Sequence, residues 1–248
     1  DLRKAMGNKK KVIVGAVKAK FINQGQENGH DPKVLEKIWS DWEKFASYAF
    51  NKSHATCYSW VAYQTAYLKA HYPAEYMAAL MTRRFAQITE ITKLMEECQS
   101  MDIKTLGPDV NESYRAFGVN EHGEIRFGLS AIKGMGAPAA DAIVAEREKN
   151  GPYKTIFDFA ERVDFSCVNR KAFETLALSG GFDSFGIRRE QFFGKNSKGE
   201  TFLDTLVRYG QLYQREQQEA ATSLFGGTEA VEIATPPIPE VEGWSTIE

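Results

Sequence analysis

Apolar residues recur at helical spacing through much of the chain. Asp31-Pro32 opens one such stretch, with Asp as the cap and Pro at the first helical position. Val34, Leu35, Ile38, Trp39, Trp42, Phe45 and Ala46 then form a single stripe, which reads as core. Tyr58, Val61, Ala62, Thr65, Tyr67 and Leu68 follow three-and-four spacing. His71-Tyr72-Pro73 stops that helix, and Pro73 opens the next one, over 74–81. Ile91, Leu94, Met95 and Cys98 mark a further amphipathic helix over 89–101, broken by Gly107-Pro108. Residues 115–119 and 124–129 alternate as strands, and Asn120 to Gly123 supplies a turn, so a β-hairpin is expected. A short helix is expected over 156–162. Asn169 opens another, with Phe173, Leu176 and Ala177 inward and Gly180-Gly181 at its end. Residues 188–218 read as polar and helical. From Thr228 onward, prolines and glutamates predict a linker without regular structure.

Composition changes this picture little. The chain has 248 residues, 43% hydrophobic and 26% charged, with formal net charge −2. Those values are ordinary for one large or two modest globular domains. The balance is uneven along the chain. Residues 1–20 carry Arg3, Lys4, Lys9, Lys10, Lys11, Lys18 and Lys20 against Asp1, whereas 216–248 carry neither Lys nor Arg. The start reads as a helix, a break at Gly7-Asn8 and a basic turn on a solvated face. Cys57, Cys98 and Cys167 are far apart and lack CxxC spacing, so free thiols in a cytosolic chain are expected rather than a disulfide framework or zinc site. His30 and His122 fall in turns, His71 ends a helix, and no metal-ligand spacing links them. There is no run of membrane-spanning length and no secretory signal. A first residue other than Met suggests a piece of a longer protein.

Three stretches carry candidate chemistry. Asn51, Lys52, Ser53 and His54 form a donor-rich turn beside Tyr48 and Tyr58, whose rings can stack on a base. That set suits a nucleotide or a strand end. Ile132-Lys133-Gly134-Met135-Gly136 reads apolar, x, Gly, apolar, Gly, followed by a helix. Glycines allow a tight turn, and the helix start turns free N–H groups toward a phosphate. Lys133 adds charge. Such a hairpin binds backbone phosphates without sequence preference. Lastly, Ser223-Leu224-Phe225 is an apolar pair in a polar stretch, suited to a partner's apolar pocket.

Residues 50–80 resemble the fingers region of the alpha subunit of bacterial DNA polymerase III. Phe50-Asn51-Lys52-Ser53-His54, Tyr63-Gln64-Thr65, Leu68-Lys69 and Tyr72-Pro73-Ala74-Glu75 stand in the places of that family's run. Polar identities carry weight here, because helical periodicity does not dictate them. The likeness extends to Leu2-Arg3-Lys4-Ala5-Met6-Gly7, with Lys4 where the family has a second Arg. It also covers Pro108-Asp109-Val110-Asn111 and the Ser223-Leu224-Phe225 motif, with Ala221 where the family has Gln.

The resemblance implies a mainly α fold. A helical fingers portion (1–107) would precede a β-hairpin and tandem helix-hairpin-helix domain (108–218), then a clamp-binding segment and acidic linker (219–248). It implies that Arg3 and Lys4 meet the triphosphate of the incoming nucleotide. Tyr48, Asn51, Lys52, Ser53 and His54 would shape the pocket over the nascent base pair. Lys133, Gly134 and Gly136 would hold the duplex. Arg170 and Lys171 would be secondary DNA contacts on a degenerate partner half. Ser223, Leu224 and Phe225 would bind the sliding clamp. The implied partners are primer-template DNA, a deoxynucleoside triphosphate, the clamp and other holoenzyme subunits, in the bacterial cytoplasm and nucleoid, with no membrane. The implied activity is DNA-directed nucleotidyl transfer. Its Mg2+ is held on palm carboxylates that precede Asp1 in the family, so this chain is expected to bind without catalysing and to hold no cofactor itself. A stand-alone DNA-binding module or a scaffold is the alternative. Phosphate binding should weaken with salt, whereas an apolar pocket contact should not.

Overall fold

The structure is a computed structural model that describes residues 11–48, 52–222 and 233–244. Backbone contacts divide the chain into two compact units, 1–67 and 68–248, and each is taken by itself. It is mainly helical, as its periodicity predicts.

In the first unit, α1 (Lys11–Glu27) and α2 (Pro32–Tyr48) pack as a helical hairpin. Gly29, at φ +81, makes the turn. The Asp31 carboxylate accepts from the Lys33 N–H at 2.8 Å, which caps α2 as its sequence predicts. Trp39 is fully buried and Leu35 nearly so. The Phe21 ring lies 5.7 Å from Trp39 and 5.0 Å from Trp42. Gly25 lets the helices approach, since a Cβ there would lie 2.5 Å from Leu35 Cδ1. Two expectations are corrected. Val34 and Ile38 are exposed rather than core, because one neighbouring helix covers only part of the stripe. The basic segment from Lys11 onward is helix rather than turn, which places Lys18 and Lys20 on α1.

Helix α3 (Lys52–His71) buries none of its residues. Tyr58, Trp60, Val61 and Tyr63 are all more than half exposed. The helix starts earlier than expected, so Lys52, Ser53 and His54 occupy its first turn instead of a loop. No Gly or Pro interrupts 52–71, so nothing prevents the helix from running back to Lys52.

The second unit begins with α4 (Pro73–Arg84), which has Pro73 at its start, and α5 (Ile88–Ser100). Met77, Met81, Ile91, Cys98, Phe117 and Ile125 share a small core. The turn after α5 is made at Asp102 (φ +57), ahead of the expected Gly107-Pro108 break. This frees β1 (Thr105–Leu106) to pair parallel with β3 (Ile125–Arg126). Strand β2 (Gly118–Val119) pairs antiparallel with β3, giving the order β1-β3-β2. The predicted hairpin is present. The Asn120 carboxamide oxygen accepts from the His122 and Glu124 N–H groups, which shapes its turn. Its strands are shorter than expected, and β1 has no sequence signal. A Cβ on Gly128 would lie 2.5 Å from the Ala116 carbonyl carbon, so the chain crosses itself there and regular pairing stops.

A larger core joins α6 (Ala137–Asn150), α7 (Ile156–Arg162), α8 (Arg170–Ser179) and α9 (Phe202–Thr222). Phe159, Phe173, Phe182 and Phe192 are fully buried. Burying one such ring stabilises by about 1.5–3 kcal/mol. Gly210 allows α9 to cross α7, because a Cβ there would meet the Ala160 oxygen at 2.4 Å. Residues 188–218 are not one helix. A 3-10 turn over Arg189–Phe193 is followed by a Lys195–Thr201 bridge around Asn196, and α9 starts only at Phe202. Asn196 and Gly199 (φ +80) account for the break. Residues 233–244 lack regular structure, as expected, yet they are not a free linker. The carbonyls of Pro239 and Val241 are held by Gln191 and Arg188.

Candidate nucleic-acid interface

The hairpin at 132–136 grows from a 3-10 turn, Leu129–Ala131. Ile132 and Met135 are buried and anchor its base. Between them, the Met135 N–H closes on the Ile132 oxygen at 3.0 Å. Gly134 is third in that four-residue turn at φ +93, a value that favours glycine. Gly136 has an ordinary backbone (φ −77, ψ 151) and precedes α6 with no side-chain cap. Its φ does not require glycine. It leaves the start of α6 without a side-chain cap, and an uncapped helix start favours an anion. Lys133, Gly134 and Gly136 are exposed. Among the described residues, Lys133 has no ion-pair partner.

Helix α6, which follows the turn, is anchored at its far end by long-range contacts. The buried Arg147 guanidinium on α6 donates from Nη1 to the Val110 and Ser113 oxygens at 2.8 and 2.9 Å. Its carbon lies 5.2 Å from the Tyr114 ring centroid. The Ser113 hydroxyl donates to the Phe127 oxygen at 2.7 Å and accepts from the Asp109 N–H. At the same end of α6, beside Arg147, Glu146 pairs with Arg162 at 3.0 Å; Arg162 also meets Asp158 at 3.0 Å and stacks over Tyr153 at 4.6 Å. Burial pushes the Tyr153 phenol well above its ordinary value, and its O–H donates to the Ile143 oxygen.

Lys171 and Thr175 on α8 lie against the turn. A Cβ on Gly134 would be 3.3 Å from Thr175 Cγ2 and 3.8 Å from Lys171 Cε. Lys133 and Lys171 thus flank one glycine, although 38 positions separate them in sequence. Lys171 also pairs with Glu174 at 3.0 Å and is largely exposed. Arg170 is differently engaged. It meets Asp204 at 2.6 Å and Glu174 at 3.0 Å. The Arg170 hydrogen bond holds the Asp204 carboxyl below its ordinary value. Arg170 therefore ties α8 to the start of α9. In the partner half, the Asp164 carboxylate accepts from the Ser166 N–H at 2.8 Å, and hydrogen bonds from Ser166 lower its pKa. An internal carboxylate thus occupies one N–H of that loop, whereas among the described residues no side chain caps the helix start of the first hairpin.

The nucleotide set is only partly visible. Arg3, Lys4 and Asn51 lie outside the described residues, and Tyr48 ends α2. Lys52, Ser53 and His54 share the first turn of α3, where the His54 ring lies 4.2 Å from Tyr58. Ser223, Leu224 and Phe225 lie outside the described residues. Among the described residues, no group of three or more His, Cys, Asp or Glu side chains is placed to hold a metal. No described helix is long and apolar enough to cross a membrane. Residue spacing missed Thr175 and Arg147, whose contacts arise from distant pairings. A long polar side chain inside the apolar face of α6 was the one available signal for Arg147.

The fold defines a helical protein that carries a helix-hairpin-helix element. A family described as "Helix-hairpin-helix motif" matches residues 102–192. The chain is 43% identical over 224 residues to DNA polymerase III subunit alpha of Chlamydia trachomatis, covering 90% of this chain and 17% of that protein. The corresponding subunit of Haemophilus influenzae is 40% identical, covering 91% of this chain and 19% of the relative. That of Escherichia coli is 42% identical, covering 80% and 17%. The chain belongs to the DNA polymerase III alpha-subunit family, and it spans less than a fifth of the length of these relatives.

Proposed function

We propose that this chain is the part of a DNA-directed DNA polymerase that holds the primer-template duplex and contributes to the incoming-nucleotide pocket. The observation that carries this reading is the turn Ile132–Gly136, whose buried Ile132 and Met135 hold exposed, unpaired Lys133 beside an uncapped helix start. Donors and charge placed this way suit a backbone phosphate. Kinship with polymerase alpha subunits supplies the context. In this reading, a primer 3′-hydroxyl attacks a deoxynucleoside triphosphate, and Mg2+ on acidic residues outside this chain assists. Arg3 and Lys4 neutralise the triphosphate. Tyr48, Asn51, Lys52, Ser53 and His54 line the base-pair pocket. Lys133, Gly134, Gly136 and Lys171 grip the duplex, with Arg170 secondary because of its carboxylate partners. Ser223, Leu224 and Phe225 contact the sliding clamp, and other holoenzyme subunits join elsewhere. Residues 1–107 then serve the nucleotide, 108–218 the duplex and 219–248 the clamp.

Fluorescence anisotropy with a labelled primed duplex tests the central claim. Binding should weaken steeply between about 50 and 200 mM salt. Lys133→Glu should lower affinity by about tenfold or more. Absence of binding at low salt, or equal binding by the variant, overturns the duplex role.

A further inference from the structure

We propose that Arg188, Gln191, Phe193 and Gly194 form a docking groove for an extended peptide, and that its occupant is this chain's own segment 238–244. Over 239–242 the segment meets the groove with a period of two, as an extended strand does. Pro239 and Val241 are partly buried, whereas Glu240 and Glu242 point to solvent. The Pro239 oxygen accepts from Gln191 Nε2 at 2.9 Å, and the Val241 oxygen accepts from Arg188 Nη2 at 2.8 Å. Two alternate carbonyls are therefore read by Gln191 on the 3-10 turn and by Arg188, which precedes it.

The groove is ordered on its own side. The Gln191 side-chain oxygen accepts from the Arg188 N–H at 2.9 Å, which aims the amide nitrogen at the segment. Arg188 Nη1 is held by Glu190 at 2.9 Å, which leaves Nη2 for the Val241 carbonyl. The floor is Gly194. Its backbone (φ −59, ψ 134) suits any residue, yet a Cβ there would lie 2.7 Å from both Pro239 Cγ and Val241 Cγ1. Glycine at this position answers to the docked segment, not to the local fold. Beyond it, the Trp244 ring lies 5.7 Å from Phe193. Proline restricts the free segment's backbone, which lowers the entropy lost on docking. The groove ties the chain that follows α9 back to the unit carrying the hairpin.

The test uses full-length chains and a fluorescein-labelled peptide of residues 233–244. Val241→Asp expels the chain's own segment and leaves the groove intact. This variant should bind the peptide saturably in anisotropy titrations. The double variant Val241→Asp/Gly194→Val should bind at least about tenfold more weakly, as should the unmodified chain, whose groove is filled by a segment at high effective concentration. Circular dichroism should show the same helix content in all three. Failure of the Val241→Asp chain to bind at millimolar peptide overturns the proposal. Equal binding by all three chains also overturns it, since no occupied groove would then discriminate among them.

Discussion

Gly134 and Gly136 look alike in sequence but do different things. Gly134 is conformational. Its φ of +93 is strained for any side chain, and Thr175 Cγ2 lies 3.3 Å from the position of a Cβ. Gly134→Ala should therefore cost about 1–2 kcal/mol in urea unfolding. Gly136 is permissive. Asp at that position fits the backbone and makes a good helix cap. Gly136→Asp should leave stability equal or raise it by a few tenths of a kcal/mol, while its charge repels phosphate. Anisotropy and urea melts on this one variant should move in different directions. Loss of both together would show that Gly136 is structural.

Helix ends were legible because their rules act within one turn. Asn169 accepts from the Ala172 N–H at 3.1 Å, and Gly180 ends α8 in the left-handed region, both as the sequence predicts. Asn169→Ala should cost about 1 kcal/mol by chemical denaturation. The tie between α8 and α9 was not legible, because it depends on Arg170 meeting Asp204 34 positions away. The Asp204 carboxyl is depressed in the folded state. Its contribution is therefore present above the ordinary carboxylate value and is lost as pH falls below it. Glu200, held down to about 2 by Arg208, acts in the same sense. Thermal melts should fall as pH drops from about 5 toward 2. Asp204→Asn should reduce that slope, and an unchanged slope would mean the pair contributes nothing.

At the scale of the whole molecule, burial is uneven. The core of α6 to α9 is dense with phenylalanine, whereas α3 buries nothing along its length. A helix without a packed face rests on intrinsic propensity and on surface pairs such as Lys69–Glu97. Amide hydrogen exchange should be fastest in α3 among the described helices and slowest in α7 to α9. Protection of α3 equal to that of α8 would show that another surface covers it in solution. The stripe Tyr58, Val61 and Leu68 predicted the helix correctly. Periodicity reports a face, however, and says nothing of whether a partner is present to cover it.

The sequence by itself determined the features that short-range chemistry specifies. These are the apolar-x-Gly-apolar-Gly turn, the caps at Asp31 and Asn169, the Pro73 helix start, and the polar run that carries the family likeness. Only the tertiary structure decided which distant groups meet. It set Lys171 beside Gly134, sent Arg147 back to Val110 and Ser113, paired β1 with β3, and laid residues 238–244 across Gly194. Backbone propensities and caps act over three or four residues. These other contacts join positions 20 to about 50 apart, so they depend on how whole elements pack against one another.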